Sequence, residues 1–517
     1  MLRKQSLFCM AMILAVSLLI SACGSKTTTS NEPPKETANS SSNATETGDA
    51  SKETPALEPV ELTWYTVGTA QPDQQAVMDE VNKILQAKIN TTLKLNVIDW
   101  GAFDEKMKVI TSTNEAYDLA FTSSWANNYA SNVLGGAYLP MDDLLQQYGK
   151  NILEQVPTQY WDATKVNGKI YGSLNYQMYF IARGLAFNQG LVDKYGFDVN
   201  SIKKPSDLTP FLEKVKSGEP GMTGYLPAMT SFPELFNMES GFTIDAVQGN
   251  SMLPLVINVD DKDMKVYNGV ESPEFMDLMK VYRDWYQKGF IKKDAISRKD
   301  YKAESKSGKY AVWVRGGGPG ASEAATAEQG NPTVVIDAAP SYVNTGGVIA
   351  TMTAISRTSK NPERAMMLLD LLYSDKELYR LISNGIEGKH YKKVDDDKME
   401  LIPNSGYVPG VNWEYGNIFN DYQNNQSPVS MDQMRTLNET SATSPLLGFL
   451  YNPDSLKQEY AQVNAIMGEV VPAMMTGTVD PEVMIPKTME RLKKAGLDKL
   501  IEDAQKQINA WKSENGK

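Results

Sequence analysis

The stretch Tyr117-Asp118-Leu119-Ala120-Phe121-Thr122-Ser123-Ser124-Trp125 decides the fold that this sequence predicts. Its first half has the apolar and aromatic character of a short buried strand, and its second half is a polar turn that ends on an indole. Two predicted strands precede it, at residues 60–66 and 93–98, and a helical pattern of apolar residues separates each strand from the next. This alternation is typical of a parallel sheet covered by helices, so we expect an α/β fold.

The turn at the end of this stretch marks the functional edge of the predicted sheet. In parallel sheets, ligand-binding loops lie at the carboxyl ends of the strands. Ser123, Ser124 and Trp125 follow the third strand directly, so we expect them at that edge.

The aromatic residues suggest the chemistry of a ligand. The chain contains eight tryptophans and 25 tyrosines, several of them in predicted loops or at strand ends. Indole and phenol rings stack on the apolar faces of sugar rings, while amide, carboxyl and guanidinium groups bond the hydroxyls. We assign Trp285 and Trp511 to helix packing. The aromatic candidates for a carbohydrate site are Trp125, Tyr176, Tyr179, Trp313, Trp413 and Tyr415.

A glycine-rich turn follows the predicted strand 310–314. The sequence Arg315-Gly316-Gly317-Gly318-Pro319-Gly320-Ala321 matches a relaxed dinucleotide-binding fingerprint, and Asp337 lies where a ribose-binding acid would lie. Pro319 and the absence of this fingerprint from the first strand argue against nucleotide binding. We interpret the segment as a turn that starts a helix, whose free N–H groups suit a ligand oxygen or carboxylate. Arg315 would suit an acidic sugar and is a further ligand-binding candidate.

The amino terminus predicts export and lipid anchoring. Arg3 and Lys4 precede an apolar run that is too short to cross a membrane comfortably, which is typical of a secretory leader. The sequence Leu19-Ile20-Ser21-Ala22-Cys23 resembles a bacterial lipobox, so we expect cleavage before Cys23 and acylation of its thiol. Residues 24–59 are rich in Ser, Thr and Asn and predict a disordered tether.

Composition excludes several classes of function. The chain carries 51 basic and 63 acidic residues, a net charge of −12, which argues against a nucleic-acid partner and a broadly anionic ligand. Cys9 is lost with the leader and Cys23 is acylated, so no disulfide is expected. His390 is the single histidine, and we place it in a surface loop. A single histidine excludes a His cluster for zinc, so we assign no metal site and no cofactor, and the sequence leaves metal dependence open. We expect a monomer because no coiled-coil heptads are present.

Several stretches resemble a known family, the lipid-anchored extracellular solute-binding proteins (family 1) of ABC importers. The resemblance is to the LplA-like branch with a C-terminal domain of the DUF3502 type, and it runs through nearly all of the mature chain. The residues that carry it are the opening stretch, Tyr138-Leu139-Pro140-Met141-Asp142-Asp143-Leu144-Leu145, Asn361-Pro362-Glu363-Arg364-Ala365-Met366, Asn384-Gly385-Ile386-Glu387-Gly388-Lys389-His390-Tyr391 and Ala495-Gly496-Leu497-Asp498-Lys499-Leu500.

This resemblance implies a two-lobed periplasmic-binding-protein-like fold of type II, with a hinge between the lobes and a helical C-terminal extension. It implies a protein without catalytic activity that closes on an oligosaccharide and delivers it to a membrane permease. Ser123, Ser124 and Trp125 would then form part of the cleft wall. The expected parts are a leader (1–22), a tether (23–59), an N-terminal lobe and hinge (60–185 and part of 340–430), a second lobe (186–340) and a helical C-terminal domain (430–517).

Two other classes of function stay open at this point. A surface glycosidase or polysaccharide lyase would share the anchor and the aromatic cleft, and Asp and Glu are too plentiful to exclude a catalytic pair. A sensory or adhesion lipoprotein would bind a protein partner, for which the last hundred residues offer helical surface. If the chain is a transport protein, we expect its solute to be a plant cell-wall oligosaccharide. Peptides and modified sugars are the alternative solutes.

Overall fold

The computed structural model describes residues 57–228, 235–248, 252–298, 300–423 and 428–516. The predicted leader, the lipobox with Cys23 and the tether up to residue 56 lie outside these ranges. Within the described ranges, no helix combines the length and the apolar character that a membrane span needs.

The first third of the described chain alternates strands and helices as the sequence predicts. Its strands are β1 (Val60–Val67), β2 (Thr91–Ile98), β3 (Leu119–Thr122), β4 (Lys165–Val166), β5 (Lys169–Ile170), β6 (Ser173–Leu174) and β7 (Phe180–Ile181). Its helices are α1 (Gln74–Ile89), α2 (Phe103–Ser112), α3 (Tyr129–Leu134), α4 (Asp142–Tyr148) and α5 (Lys150–Gln155).

The middle third contains a second set of strands and helices. The strands are β8 (Arg183–Asn188), β9 (Thr223–Leu226), β10 (Ile244–Ala246), β11 (Leu255–Asn258), β12 (Tyr267–Asn268), β13 (Tyr310–Gly316) and β14 (Thr333–Asp337). The helices are α6 (Gln189–Tyr195), α7 (Thr209–Gly218), α8 (Phe236–Ser240), α9 (Pro273–Gln287), α10 (Tyr301–Ser305) and α11 (Ala321–Gln329).

The last third is mainly helical. Its short strands are β15 (Tyr342–Val343), β16 (Met352–Ile355), β17 (Tyr391–Lys393), β18 (Met399–Leu401) and β19 (Ala442–Thr443). Its helices are α12 (Thr345–Val348), α13 (Pro362–Ser374), α14 (Lys376–Asn384), α15 (Pro428–Thr440), α16 (Lys457–Met475), α17 (Pro481–Lys494) and α18 (Leu497–Asn515).

Two lobes are built on separate sheets. The first lobe has the strand order β2-β1-β3-β16-β6, in which β1 is parallel to β2 and β3, and β16 is antiparallel to β3 and β6. The second lobe has the order β14-β8-β13-β9. Each sheet is covered by apolar helix faces and has its own buried core. The predicted two-lobed α/β fold is therefore confirmed.

Three chain segments connect the lobes and pair with one another. β7 leads from the first lobe to the second, β15 leads back, and β19 leads from α15 to the C-terminal helices. They form a small sheet in the order β19-β15-β7, with Tyr342 opposite both Ile181 and Ala442. Short paired segments of this kind form a hinge, because a few dihedral angles can absorb a rotation of the lobes.

The C-terminal helices pack on the second lobe. Buried residues of α16, α17 and α18 join the same core as α9. Their apolar residues recur at helical spacing, as in Val463, Met467, Val470 and Met474 along α16. The helical character expected for residues 430–517 is thus confirmed along α16.

The position of His390 corrects a prediction. Its side chain is fully buried rather than in a surface loop, because the turn after α14 folds back onto the start of α1. The Ile386 N–H donates to His390 Nδ1 at 2.8 Å, and His390 Nε2 lies 3.2 Å from an Asp73 carboxylate oxygen. Lys389 approaches the same oxygen at 2.7 Å, and these two partners hold the pKa of Asp73 below its usual range.

Candidate functional site

The carboxyl ends of β1, β2 and β3 meet at one edge of the first lobe. β1 and β2 run parallel in register, so Val67 and Ile98 end side by side. The turn after β2 carries Trp100, and the turn after β3 carries Ser123 to Trp125. The sheet topology therefore brings together side chains that are distant in sequence.

Three tryptophans form a surface at this edge, which we call the tryptophan platform. The rings of Trp100 and Trp125 are stacked, with centroids 6.2 Å apart and planes 18° apart. Trp413 lies 6.2 Å from Trp100 and 6.0 Å from Trp125. Trp100 and Trp125 are 46% and 42% exposed, which is unusual for such large apolar side chains.

The platform is held from below and from the side. The buried ring of Phe121 lies 5.7 Å from Trp125 and 5.8 Å from Trp413. Trp125 Nε1 donates to the Ala350 carbonyl at 2.8 Å, and its backbone N–H donates to Ser123 Oγ at 3.1 Å. These contacts fix the ring of Trp125 before any ligand arrives, which lowers the entropy cost of binding.

The two serines next to Trp125 have different roles. Ser123 is buried, and its hydroxyl accepts the Ala126 N–H at 2.7 Å, so it shapes the turn. Ser124 is partly buried and joins the first lobe to the segment after the hinge, since its hydroxyl donates to the Gly346 carbonyl at 3.0 Å. The prediction that these residues contact a ligand stays a prediction.

A cavity of about 500 Å³ lies beside the platform, between the lobes; we call it the interlobe cavity. The first lobe contributes Ser123, Ser124 and several side chains between Asn128 and Gly135, and the second lobe contributes residues 245–248. The hinge region contributes residues 344–346 and Ile349, and the C-terminal region contributes Leu446, residues 449–454 and Tyr460. The volume falls within the roughly 300–1,000 Å³ usual for small-molecule sites. Because Ser123 and Ser124 line it, the cavity and the platform share one turn.

Asp245 connects three parts of the chain at this cavity. Asn344 Nδ2 and Ser444 Oγ each donate to its carboxylate at 2.7 Å. Asp245 belongs to the second lobe, whereas its two partners lie next to the hinge strands β15 and β19. Burial raises the pKa of Asp245 to about 6.

Glu414 is buried directly behind the platform. Its carboxyl is hydrogen-bonded to the Thr66 hydroxyl, and its other oxygen, Oε1, finds no partner among the described residues. Burial raises the pKa of this carboxyl well above its usual range, which favours its protonated form.

We expect Glu414→Gln to flatten the dependence of stability on pH. In the native state the carboxyl keeps its proton to a higher pH than in the unfolded chain, where it ionises near pH 4.5. Native stability therefore falls by about 1.4 kcal/mol per pH unit above that value, up to the native pKa. Glutamine keeps the shape and removes this loss, so the difference in melting temperature, variant minus parent, should grow as the pH rises above about 4.5 and become constant above the native pKa. Parallel melting profiles would contradict a raised pKa for this carboxyl.

Four predicted aromatic residues lie in the interior rather than on the cleft surface. Tyr415 packs edge-on against Trp64 at 5.6 Å inside the first lobe. Tyr176 and Tyr179 belong to a buried tyrosine cluster, with centroids 5.5 Å apart. Trp313 is covered by Tyr301 on one face of the second-lobe sheet. In each case strand or turn geometry directs the ring into a core, and direct ligand contact by these four residues stays a prediction.

The remaining second-lobe candidates serve local structure. Arg315 is mostly buried, and its Nη1 lies 3.7 Å from a Glu328 carboxylate oxygen. In the glycine turn, the Gly318 N–H donates to Asp337 Oδ1 at 2.8 Å. The acid that the nucleotide fingerprint would use for a ribose therefore closes the turn itself.

The sequence analysis missed Trp100. Trp100 lies two residues after the end of β2, just as Trp125 lies three residues after the end of β3. The rule about carboxyl ends of parallel strands applied to it equally, and that signal was available in the sequence. The residues of the segment 446–460 carried no comparable signal, because only the tertiary fold brings them to the cavity.

Two family models match this chain. The model of the bacterial extracellular solute-binding protein family matches residues 69–378, which is more than half of the chain. A domain of unknown function, DUF3502, matches residues 445–513.

Individual relatives agree with these matches. A carbohydrate ABC transporter substrate-binding protein of Streptococcus pneumoniae serotype 4 is 28% identical over 516 residues, covering 98% of each chain. The crystal structure of the N-glycan transport solute binding protein NgtS from Streptococcus pneumoniae has a TM-score of 0.79 at 27% identity, covering 88% of this chain and 99% of that one. The NgtS complex with Man1GlcNAc has a TM-score of 0.71 at 27% identity, covering 87% of this chain and 99% of that one. The complex with Man5GlcNAc has a TM-score of 0.68 at 27% identity, covering 88% of this chain and 98% of that one.

Proposed function

Because the chain belongs to the bacterial extracellular solute-binding protein family, we propose that it captures an oligosaccharide between its lobes and delivers it to the permease of an ABC importer. Its relatives are substrate-binding proteins of such transporters and not enzymes, and the family acts outside the cytoplasm. The chain is accordingly a binding protein, and the glycosidase and lyase alternatives do not apply.

The tryptophan platform is the observation that carries the sugar proposal. Pyranose rings present a flat apolar face and a rim of hydroxyls, and indole rings bind that face. Trp100 and Trp125 offer two exposed stacked rings at the strand ends. In the adjacent cavity, Asn128, Gln248 and Asn344 provide amide groups that can bond hydroxyls.

The lining of the interlobe cavity favours a neutral sugar. It includes the carboxylates of Asp245 and Asp454, and among its described lining residues there is no lysine or arginine. An acidic sugar would meet no opposite charge there. This chemistry favours a neutral solute over the acidic one for which Arg315 was considered.

The hinge supports a closing mechanism. Ser124 and Asp245 lie on different lobes and line the same cavity. A ligand that contacts both lobes favours the closed state by its difference in affinity for the closed and open states. The permease would then recognise the closed shape.

The relatives narrow the choice of sugar to test first. NgtS is 27% identical to this chain, and its complexes hold glycans of mannose and N-acetylglucosamine. We therefore place N-glycan-type oligosaccharides ahead of the plant cell-wall oligosaccharides expected from sequence.

The location at the membrane is part of the same proposal. Acylation of Cys23 would hold a monomer on the outer face of the cell membrane, since two or three acyl chains give stable anchoring. We also propose the division of the chain expected from the sequence, in which a leader (1–22) and a tether (23–59) precede the two lobes and the C-terminal domain. Labelling of the exported protein with radioactive palmitate checks the anchor, and an unlabelled mature protein would refute it.

The decisive experiment titrates the protein, purified without residues 1–23, with mannose-containing N-glycans, xylo-oligosaccharides and short peptides. Tryptophan fluorescence reports binding through the exposed platform, and chromatography of the glycans shows that they remain intact. At 100 times the dissociation constant, the stabilisation should be about 2.7 kcal/mol, which a thermal shift detects. Saturable binding of peptides alone, or shortening of the glycans, would overturn the proposal.

A further inference from the structure

A second cavity lies next to the interlobe cavity, towards the C-terminal helices; we call it the C-terminal cavity. Its volume is about 540 Å³, similar to the interlobe cavity. It is lined by residues of α3, by the turn 165–168, by the segment 447–452 and by the last turns of α18. Its size is not explained by the capture of a short sugar at the platform.

The two cavities have a wall in common. Leu134 is 53% exposed at the end of α3 and lines both cavities, so it offers an apolar contact between them. A ligand that fills the interlobe cavity can therefore continue over Leu134 into the second cavity. The residues that line both cavities are Ala130, Leu134, Phe449, Leu450, Tyr451 and Asn452.

Helix α18 holds this common wall in place. The Tyr451 hydroxyl donates to Asp503 Oδ2 at 3.0 Å. The Asn452 N–H donates to Gln507 Oε1 at 3.0 Å, and Gln507 Nε2 donates to the Asn452 carbonyl at 2.8 Å. Three hydrogen bonds from one helix make the wall a preformed surface rather than a mobile loop.

The chemistry of the C-terminal cavity repeats that of the platform. Trp511, assigned to packing from the sequence, is only partly buried and lines this cavity. Its ring packs edge-on against Phe449 at 5.7 Å, which leaves the indole fixed in orientation. The amides of Asn167 and Asn515 lie in the same lining. An aromatic ring with neighbouring amides is the combination that binds sugars.

We propose that the C-terminal cavity is a second sugar subsite, so that the preferred solute is an oligosaccharide long or branched enough to occupy the tryptophan platform and the cavity at Trp511 together. This inference rests on the proposed function and adds to it the size class of the solute. It also gives residues 445–513, the domain of unknown function, a direct part in ligand binding.

The test compares a short and a long probe, Man1GlcNAc and Man5GlcNAc, by calorimetry. Trp511→Ala should weaken binding of the long probe by about tenfold or more, as the loss of one stacking ring does elsewhere, and leave the short probe within about twofold. Ala510→Trp, at an exposed position that lines the cavity, should give the same selective loss by filling it. Ser513→Trp, exposed on the same helix but outside the lining, is the matched control and should change neither affinity.

The outcomes separate this inference from the function on which it rests. If the parent protein binds both probes equally well, or if Ala510→Trp and Trp511→Ala leave the long probe unaffected, the second subsite is wrong while sugar capture stands. Equal losses for both probes would also refute it, because they would indicate a general effect on the fold. If neither probe nor any other sugar binds, the proposed function fails and the subsite fails with it.

Discussion

Trp125→Ala is expected to weaken oligosaccharide binding by about 30- to 150-fold. This range corresponds to about 2–3 kcal/mol, the usual loss when a central aromatic anchor is truncated. Trp125 stacks on Trp100 and contacts Trp413, so its removal also loosens both neighbours. Calorimetric titration with the best-binding glycan measures the effect.

The platform gives this prediction sharp controls. Trp125→Phe keeps an aromatic face and should lose less affinity than the alanine variant. The loss from Trp125→Ala should be similar for short and long glycans, unlike that from Trp511→Ala, because every bound sugar would touch the platform. Unchanged affinity in both Trp100→Ala and Trp125→Ala, with normal melting temperatures, would place the sugar elsewhere.

The largest effect on stability is expected from Arg364→Ala, at about 2–3 kcal/mol. The side chain is buried, and its Nη1 lies 2.5 Å from the Ile89 carbonyl and 3.0 Å from the Asn90 carbonyl. The same nitrogen lies 3.1 Å from Thr91 Oγ1. These groups end α1, where carbonyls lack helical partners and the helix dipole favours a cation. Alanine removes the cation and its hydrogen bonds, while the Thr91 hydroxyl and the Val60 N–H still donate to the Ile89 and Asn90 carbonyls.

Denaturant unfolding of the whole protein, followed through the first lobe, measures this loss in the free energy of unfolding. Arg491→Ala is the matched control, because Arg491 pairs with Glu469 at an exposed site and such pairs contribute about 0–1 kcal/mol. Arg364→Lys should recover part of the stability, since it keeps the charge but not the planar fork. A loss for Arg364→Ala no larger than that for Arg491→Ala would show that the carbonyls find water instead.

The local pattern of apolar residues was sufficient to predict the strands and helices of the first lobe, but it did not identify all residues of the candidate ligand-binding site. The strands and helices up to residue 122 follow from apolar periodicity, since each element buries one face. Trp125 and Trp100 lie at the edge that parallel topology indicates. Tyr179 and Tyr415 could not be assigned in this way, because a tyrosine in an irregular segment looks the same in sequence whether it packs inward or outward.

Long-range contacts explain the other differences. His390 is buried because Asp73, more than three hundred residues earlier, accepts a hydrogen bond from it. The lining of the interlobe cavity combines segments from both lobes, the hinge and the C-terminal region. No local periodicity in the sequence indicates that these segments come together. The position of residues 446–452 at the cavity is therefore visible only in the folded structure.

The place of β16 in the first sheet has a consequence for the order in which the newly synthesised chain folds. β16 pairs with β3, so that Leu119 lies opposite Ile355, and every strand of the second-lobe sheet is made between them. Pairing across so long a loop is slow, because the closure entropy is lost before the contacts form. We expect pulsed hydrogen exchange during refolding to protect β8 and β13 before β3; the opposite order would refute this. On the ribosome, the second sheet is complete while the free edge of β3 still awaits its partner, and that edge is where a nascent chain needs a chaperone.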